Sequence, residues 1–261
     1  MSTEGSSLCP VPSFLPPRPF TVVLIQARMS SARLPGKVLA DLAGRSMLAR
    51  VVRRVRRAGL VDRVIVAASE SGEDEPILAE CRRLAVDCFR GSEPDVLDRF
   101  HRAAEASRAE IVVRVTADCP LIDPCVMDRT ICAFLEARPD YASNTLQRTY
   151  PRGLDTEVMT AAALACAWRE ATQPYQRVHV TPYLYGHPER FRLLSVTGEA
   201  DHSSGRWTVD SPEDLQFVRA VYERLARDDE FSWRDVLELL DQEPSLADLN
   251  RHVRQKHLLE G

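Results

Sequence analysis

Apolar runs of strand length alternate along this chain with longer stretches whose apolar residues recur at helical spacing. Val22 to Ile25 is an unbroken β-branched and aliphatic run, as expected of a strand buried on both faces, and it gives way at Gln26 to a polar loop reaching Lys37. Ser46 is then placed to cap a helix in which Leu48, Val51, Val52 and Val55 share one side. Arg50, Arg53, Arg54, Arg56 and Arg57 fall mostly opposite, and the expectation for them is a solvated face. Residues 63–68 (RVIVAA) and 110–116 (EIVVRVT) read as buried strands, with a shorter one at 86–89. The spacing predicts helices over 75–84 and in the segment that Pro94 opens, which carries Val96, Leu97 and Phe100.

The later half is less regular. The pattern predicts a helix over 124–137, strands at 141–144, 156–159 and 191–196, helices over 161–171 and 176–185, and a short strand at 206–210. Ser211 can cap and Pro212 can open a further helix, and a last amphipathic helix follows Ser232. Strand and helix signals alternate at the distances of βα units. That predicts an α/β fold with a mostly parallel sheet flanked by helices, which binds ligands in the loops at the carboxyl ends of its strands. Loops 27–37 and 117–123 are of that kind. The division expected is a flexible Pro/Ser-containing tail over 1–19, one domain over 20–245, and a polar tail over 246–261.

Charge sharpens this picture in one place. The total of 34 basic against 38 acidic residues, a net charge of -4, excludes bulk nucleic-acid binding, so any anion site has to be local. Lys occurs only at Lys37 and Lys256 in a chain that otherwise uses Arg, and Lys37 ends the polar loop after the first strand. An ammonium is a compact point charge able to move between phosphate oxygens. With Arg28, Arg33, the hydroxyls of Ser30 and Ser31 and a Pro-Gly turn, the loop offers what a triphosphate needs, although it matches neither the P-loop nor the GxGxxG pattern. Asp118 and Asp210 each end a predicted strand. Singly, such residues are usually turn formers or caps; as a pair in a cleft holding a triphosphate they suggest Mg²⁺. Seven Cys without a CxxC pair read as reduced thiols, no run reaches the roughly 20 apolar residues of a membrane span, and a cytoplasmic location is expected.

Six ordered motifs narrow the reading. QARMSSARLPGKVL, FRGSEPDVLDRF (89–100), VRVTADCPLID (113–123), PRGLDTEV (151–158), HVTPY (179–183) and RWTVDSPEDL (206–215) together resemble the cytidylyltransferases of the spore coat polysaccharide biosynthesis protein F type. These are related to the acylneuraminate and 3-deoxy-manno-octulosonate cytidylyltransferases. The resemblance spans residues 20 to 225. It implies a Rossmann-like nucleotidyltransferase fold with a smaller β-containing insertion or dimerisation lobe, a homodimer, CTP as co-substrate, Mg²⁺, and transfer of CMP to a small anionic acceptor with release of pyrophosphate.

By the same resemblance, Arg28, Ser31, Arg33 and Lys37 correspond to the triphosphate loop, and Asp118 and Asp210 to the metal carboxylates. Lys37, Arg28 and Asp118 are the expected catalytic set. Arg90, Gly91 and Ser92 fall where relatives approach the cytidine, and Asp155, Glu157 and His179 face the acceptor. A general base is not visible, with His179 as the remaining candidate. Two positions depart from the family pattern: Ser30 where Gly is commoner, and Ala32 where Thr is. An acidic sugar is the expected acceptor. A phosphonate or another small molecule, and a non-catalytic binding relative, stand as alternatives.

Overall fold

The structure is a computed structural model that describes residues 18–225 and 229–255. In chain order its elements are β1 (Thr21–Gln26), β2 (Asp41–Leu42), β3 (Arg45–Ser46), α1 (Met47–Val55), β4 (Arg63–Ser69), α2 (Glu75–Arg83), β5 (Asp87–Gly91), α3 (Val96–Ser107), β6 (Ile111–Thr116) and α4 (Pro124–Ala137). There follow β7 (Tyr141–Ser143), β8 (Glu157–Thr160), α5 (Ala161–Glu170), α6 (Pro174–His179), α7 (Pro182–Tyr185), β9 (Leu193–Ser195), α8 (Pro212–Leu225), α9 (Trp233–Gln242) and α10 (Ser245–Asp248). Most of the expected segments appear within a residue or two of their predicted bounds.

Seven strands form one sheet in the order β5-β4-β1-β6-β8-β7-β9. Every neighbouring pair is parallel except the two made by β8, so β8 alone runs against the rest. Strand alternation sends β1 residues to opposite faces: Val23 and Ile25 enter a core with Val51, Val52 and Ile131, while Val22 and Leu24 enter another with Leu97, Phe100 and Leu164. A third apolar cluster joins α8 and α9 to the β2–β3 hairpin, a separate two-stranded antiparallel sheet, with Trp207 and Tyr222 at its centre. Because β8 pairs antiparallel with β6, the start of β8 lies beside the end of β6, with Arg114 opposite Glu157. The loop preceding β8 is thereby carried to the same sheet edge as the loops after β1 and β6.

Four expectations change. The arginines of α1 are not one solvated face, since Arg50 and Arg54 are 3% and 0% exposed. Arg50 reaches Leu42 O and Asp229, while Arg54 donates to Ile122 O, Asp229 O and Phe231 O, tying α1 to the segment before α9. Periodicity could not show this, because the partners are mostly carbonyls brought in by tertiary folding. Second, residues 206–210 add no strand to the sheet. They make one parallel bridge, Arg152 to Arg206, and Val209 N donates to Asp118 O at 2.8 Å.

Third, the helix expected over 176–185 is two short helices. Pro182 brings no N–H of its own and opens a new helix rather than continuing the first. At Val180 (φ 73°, ψ −55°) the chain makes a γ-turn closed by Thr181 N donating to His179 O at 2.9 Å. Fourth, the start of the expected C-terminal tail packs rather than trails: Leu246 and Asn250 are buried, and Asn250 Nδ2 donates to Arg206 O and Asp214, while most of 251–255 is exposed. Most of the expected N-terminal tail, residues 1–17, lies outside the described residues.

Candidate active site

The loop after β1 is held by backbone groups. Met29 N donates to Asp74 Oδ1 at 2.7 Å, Gly36 N returns to Met29 O at 2.9 Å, and Gly36 sits at φ 71°, a left-handed conformation that suits Gly and opens the 3₁₀ turn beginning at Lys37. Ser30 and Ala32, where the chain departs from the commoner residues, both keep negative φ. The departure therefore requires no strained backbone.

From that turn the Lys37 side chain crosses to the other strand ends. Its ammonium donates to Asp118 Oδ2 at 2.7 Å, Asp210 Oδ1 at 2.8 Å and Val209 O at 2.7 Å. Burial pushes the Lys37 pKa down, but the Asp118 and Asp210 carboxylates outweigh it and leave it raised. Burial likewise pushes Asp118 up, and Lys37 together with the Thr116 hydroxyl at 2.6 Å holds it below the usual carboxylate value. Asp210 is also bridged by Arg33 and Arg206, each at 3.1 Å. Behind it, the fully buried Asp214 accepts from Arg206, from Asn250 and from the backbone N–H of Asp210 and Ser211, which fixes the turn that presents Asp210. Ser211 Oγ caps α8 by accepting from Asp214 N at 3.3 Å.

These groups line a cleft of about 960 Å³ at the carboxyl edge of the sheet. Of the residues named from the sequence, Arg28, Ser31, Arg33, Lys37, Asp118, Asp155, Glu157, His179 and Asp210 all lie on it. Arg90, Gly91 and Ser92 do not. The Arg90 guanidinium is turned to Glu75 and the carbonyls of residues 69–71, and Ser92 Oγ accepts from Asp95 N. A Cβ on Gly91 would come within 3.1 Å of Arg99 and Phe89, so close packing explains that Gly.

The wall opposite the Lys37 loop is built by 144–157 and the γ-turn. Glu157 is buried and accepts from the Arg114 guanidinium, from Tyr141 Oη at 2.6 Å and from Thr181 Oγ1 at 2.6 Å. Arg114 also donates to Gln26 Oε1 at 2.8 Å, so one polar network runs beneath the cleft from β1 to β8. Burial, with Glu157 adding, pushes the Tyr185 hydroxyl up to about 12. Burial and Asp118 push the Cys119 thiol well up, which leaves it inert as a nucleophile. Asp155 is clasped bidentately by Arg148 at 2.6 and 2.8 Å.

Arg114, Gln26, Thr181 and Tyr185 line the cleft without having been singled out from the sequence, and Arg206 supports Asp210 from behind it. One signal was present, an arginine inside the otherwise apolar strand EIVVRVT. Arg28 and Arg152 are the two cleft arginines whose guanidinium groups make no hydrogen bond or ion pair among the described residues.

A family model described as cytidylyltransferase matches residues 22–253. The chain belongs to the cytidylyltransferase family. It is an enzyme that uses CTP. Spore coat polysaccharide biosynthesis protein SpsF of Bacillus subtilis is 33% identical over 231 residues, 86% of this chain and 95% of that protein. A 3-deoxy-manno-octulosonate cytidylyltransferase of an Acidovorax species is 35% identical over 182 residues, 65% of this chain and 67% of that protein. Among solved structures, a cytidylyltransferase from Leptospira borgpetersenii superposes with a TM-score of 0.85 at 31% identity, covering 92% of this chain and all of the other. Among the described residues, no helix of this cytidylyltransferase is long and apolar enough to cross a membrane.

Proposed function

We propose that this cytidylyltransferase transfers CMP from CTP to an acidic sugar, of the 3-deoxy-2-ulosonate or nonulosonate type, with release of pyrophosphate. The observation that carries the acidic acceptor is Arg152. It lines the cleft on the far side of Asp118 from the Lys37 loop, burial and then Arg148 lower its pKa, and no carboxylate among the described residues pairs with it. An unpaired, partly desolvated guanidinium is prepared to take a carboxylate or phosphonate bidentately. The relatives' names support this choice, since one of them acts on 3-deoxy-manno-octulosonate.

In this reading Arg28, Ser31 and Arg33 receive the triphosphate, and Arg152 orients the acceptor. The acceptor oxygen approaches the α-phosphorus in line with the departing pyrophosphate. No covalent enzyme intermediate is required; positioning and electrostatic stabilisation supply the rate. In this reading His179, which lines the cleft, takes the acceptor hydroxyl proton.

Asp118 and Asp210 fit a divalent cation, because one oxygen of each converges on the single point that the Lys37 ammonium fills. Two carboxylates with phosphate oxygens are the donor set Mg²⁺ takes. When bound there, it would supply Lewis-acid stabilisation of the phosphoryl oxygens.

The test is pyrophosphate release from CTP and Mg²⁺ over a panel of ulosonates, nonulosonates, phosphonates and matched neutral sugars. Arg152→Gln should raise the acceptor KM at least tenfold with the CTP KM within twofold. Equal turnover of neutral and acidic sugars, or an unchanged acceptor KM, would remove the acidic acceptor.

A further inference from the structure

We propose that Lys37 is a placeholder for the divalent cation: in the nucleotide-free protein its ammonium holds the metal position shut, and metal enters only as the nucleotide draws Lys37 away. This rests on the reading that Asp118 and Asp210 are the metal carboxylates. An ammonium has three N–H donors, and here all three are spent, on Asp118 Oδ2, Asp210 Oδ1 and Val209 O. The Nζ atom stands 2.7 and 2.8 Å from the very oxygens a cation would take. Mg²⁺ binds oxygens at about 2.0–2.1 Å and demands near-octahedral geometry, so it cannot share that point with a second positive charge.

The surroundings allow an exchange. Lys37 is 8% exposed and Val38 beside it 3%, and the backbone there is pinned by Lys37 N donating to Leu34 O and Leu39 N to Gly36 O. Movement is thus confined to a flexible four-carbon side chain. If the ammonium leaves, Asp118 keeps the Thr116 hydroxyl, and Asp210 keeps Arg33 and Arg206. Neither carboxylate is stranded during the exchange.

The triphosphate site lies on the same loop, so the displaced ammonium has an anion to move to. One positive charge then replaces another between the carboxylates while Lys37 neutralises phosphate oxygens. Metal and nucleotide each favour the state in which Lys37 has moved, and by linkage each must raise the other's affinity by the same factor. A protein without nucleotide would hold its divalent cation poorly.

Mn²⁺ alone is the probe, followed by the electron-spin signal of the free ion, with no nucleotide present. Lys37→Met should bind Mn²⁺ at least tenfold more tightly than the wild-type chain, and added Mn²⁺ should raise the melting temperature of the variant while leaving the wild type unmoved. Lys37→Gln, which keeps a donor for the Val209 carbonyl, serves where the Met variant fails to fold. Equal Mn²⁺ affinity of wild type and both folded Lys37 variants would overturn the placeholder role. The metal assignment is tested separately: adding Asp118→Asn and Asp210→Asn to Lys37→Met should abolish the gained binding. Undiminished binding there would remove the metal from these carboxylates, and the placeholder with it. Loss of binding in the aspartate variants, with equal affinity of wild type and Lys37→Met, would remove the placeholder alone.

Discussion

Asp214 offers the sharpest test of how the Asp210 turn is built, and Asp214→Asn is the cleanest perturbation because it keeps the shape. Oδ1 accepts from Arg206 Nε at 2.8 Å and Asn250 Nδ2 at 2.9 Å; Oδ2 accepts from Arg206 Nη2 at 2.9 Å and from the Asp210 and Ser211 N–H groups at 3.0 Å. Both oxygens face donors. Whichever way the amide is turned, its NH₂ meets two or three N–H groups, and Arg206, whose side chain is 9% exposed, loses its bidentate partner. Breaking one side of a buried pair costs about 3–5 kcal/mol. For a domain of this size that is a drop of roughly 6–20 °C in melting temperature.

The pH dependence has a definite sign. Burial pushes the Asp214 carboxyl up, but Arg206 and the donated N–H bonds outweigh it and hold it below its ordinary value. A carboxylate depressed in the folded state contributes stability that is complete above its unfolded pKa of about 4 and is lost as pH falls through the lower folded value. Urea unfolding followed by circular dichroism at pH 7 and below pH 4 should therefore show a gap between wild type and variant that narrows on acidification. A difference under about 1 kcal/mol at pH 7 would refute the account.

Other substitutions probe the framework around the cleft. Arg54→Met should cost about 2–3 kcal/mol or more, because the carbonyls of Ile122 and Phe231 lose their donor while Asp229 O keeps Arg57, and denaturant unfolding would show it; a neutral result would mean that water replaces the guanidinium. Gly153→Ala should cost about 2–4 kcal/mol, since Gly153 is at φ 112° and a Cβ there would lie 2.6 Å from the Trp207 backbone. The displaced loop carries Arg152 and Asp155, so the acceptor KM should rise with the fall in melting temperature; an unchanged melting temperature would contradict the packing. Thr181→Val should leave the Glu157 carboxylate with one donor fewer and lower kcat several-fold with a small loss of stability, and unaltered kcat would exclude Thr181 from positioning this wall.

What was legible in the chain followed from local physics. Buried strands such as Val22 to Ile25 announce themselves by unbroken apolar runs, helices by spacing and by caps such as Ser46 and Ser211, and α/β architecture by their alternation. The parallel ends of β1 and β6 placed the Lys37 loop and Asp118 at one sheet edge in advance, whereas Asp210, expected to end a strand, arrives there on a turn held by Asp214. The fate of the individual charges was not legible. Whether Arg50 and Arg54 face solvent depends on carbonyls from residues 42, 122, 229 and 231, and no helical period encodes those. The two halves of 176–185 separate at Val180, where a strained γ-turn is held by the packing around it and by Thr181 on Glu157.

The sequence by itself determined the sheet, the loops and the residue types gathered at its edge. Only the tertiary structure decided that β8 turns antiparallel and carries the 144–156 loop to that edge, and which cations there are spent on carboxylates. The physical reason is range. Periodicity, capping and strand burial act over a few residues, whereas a Lys37 ammonium shared between Asp118 and Asp210 joins positions 81 and 173 residues away, which meet only after the core has closed.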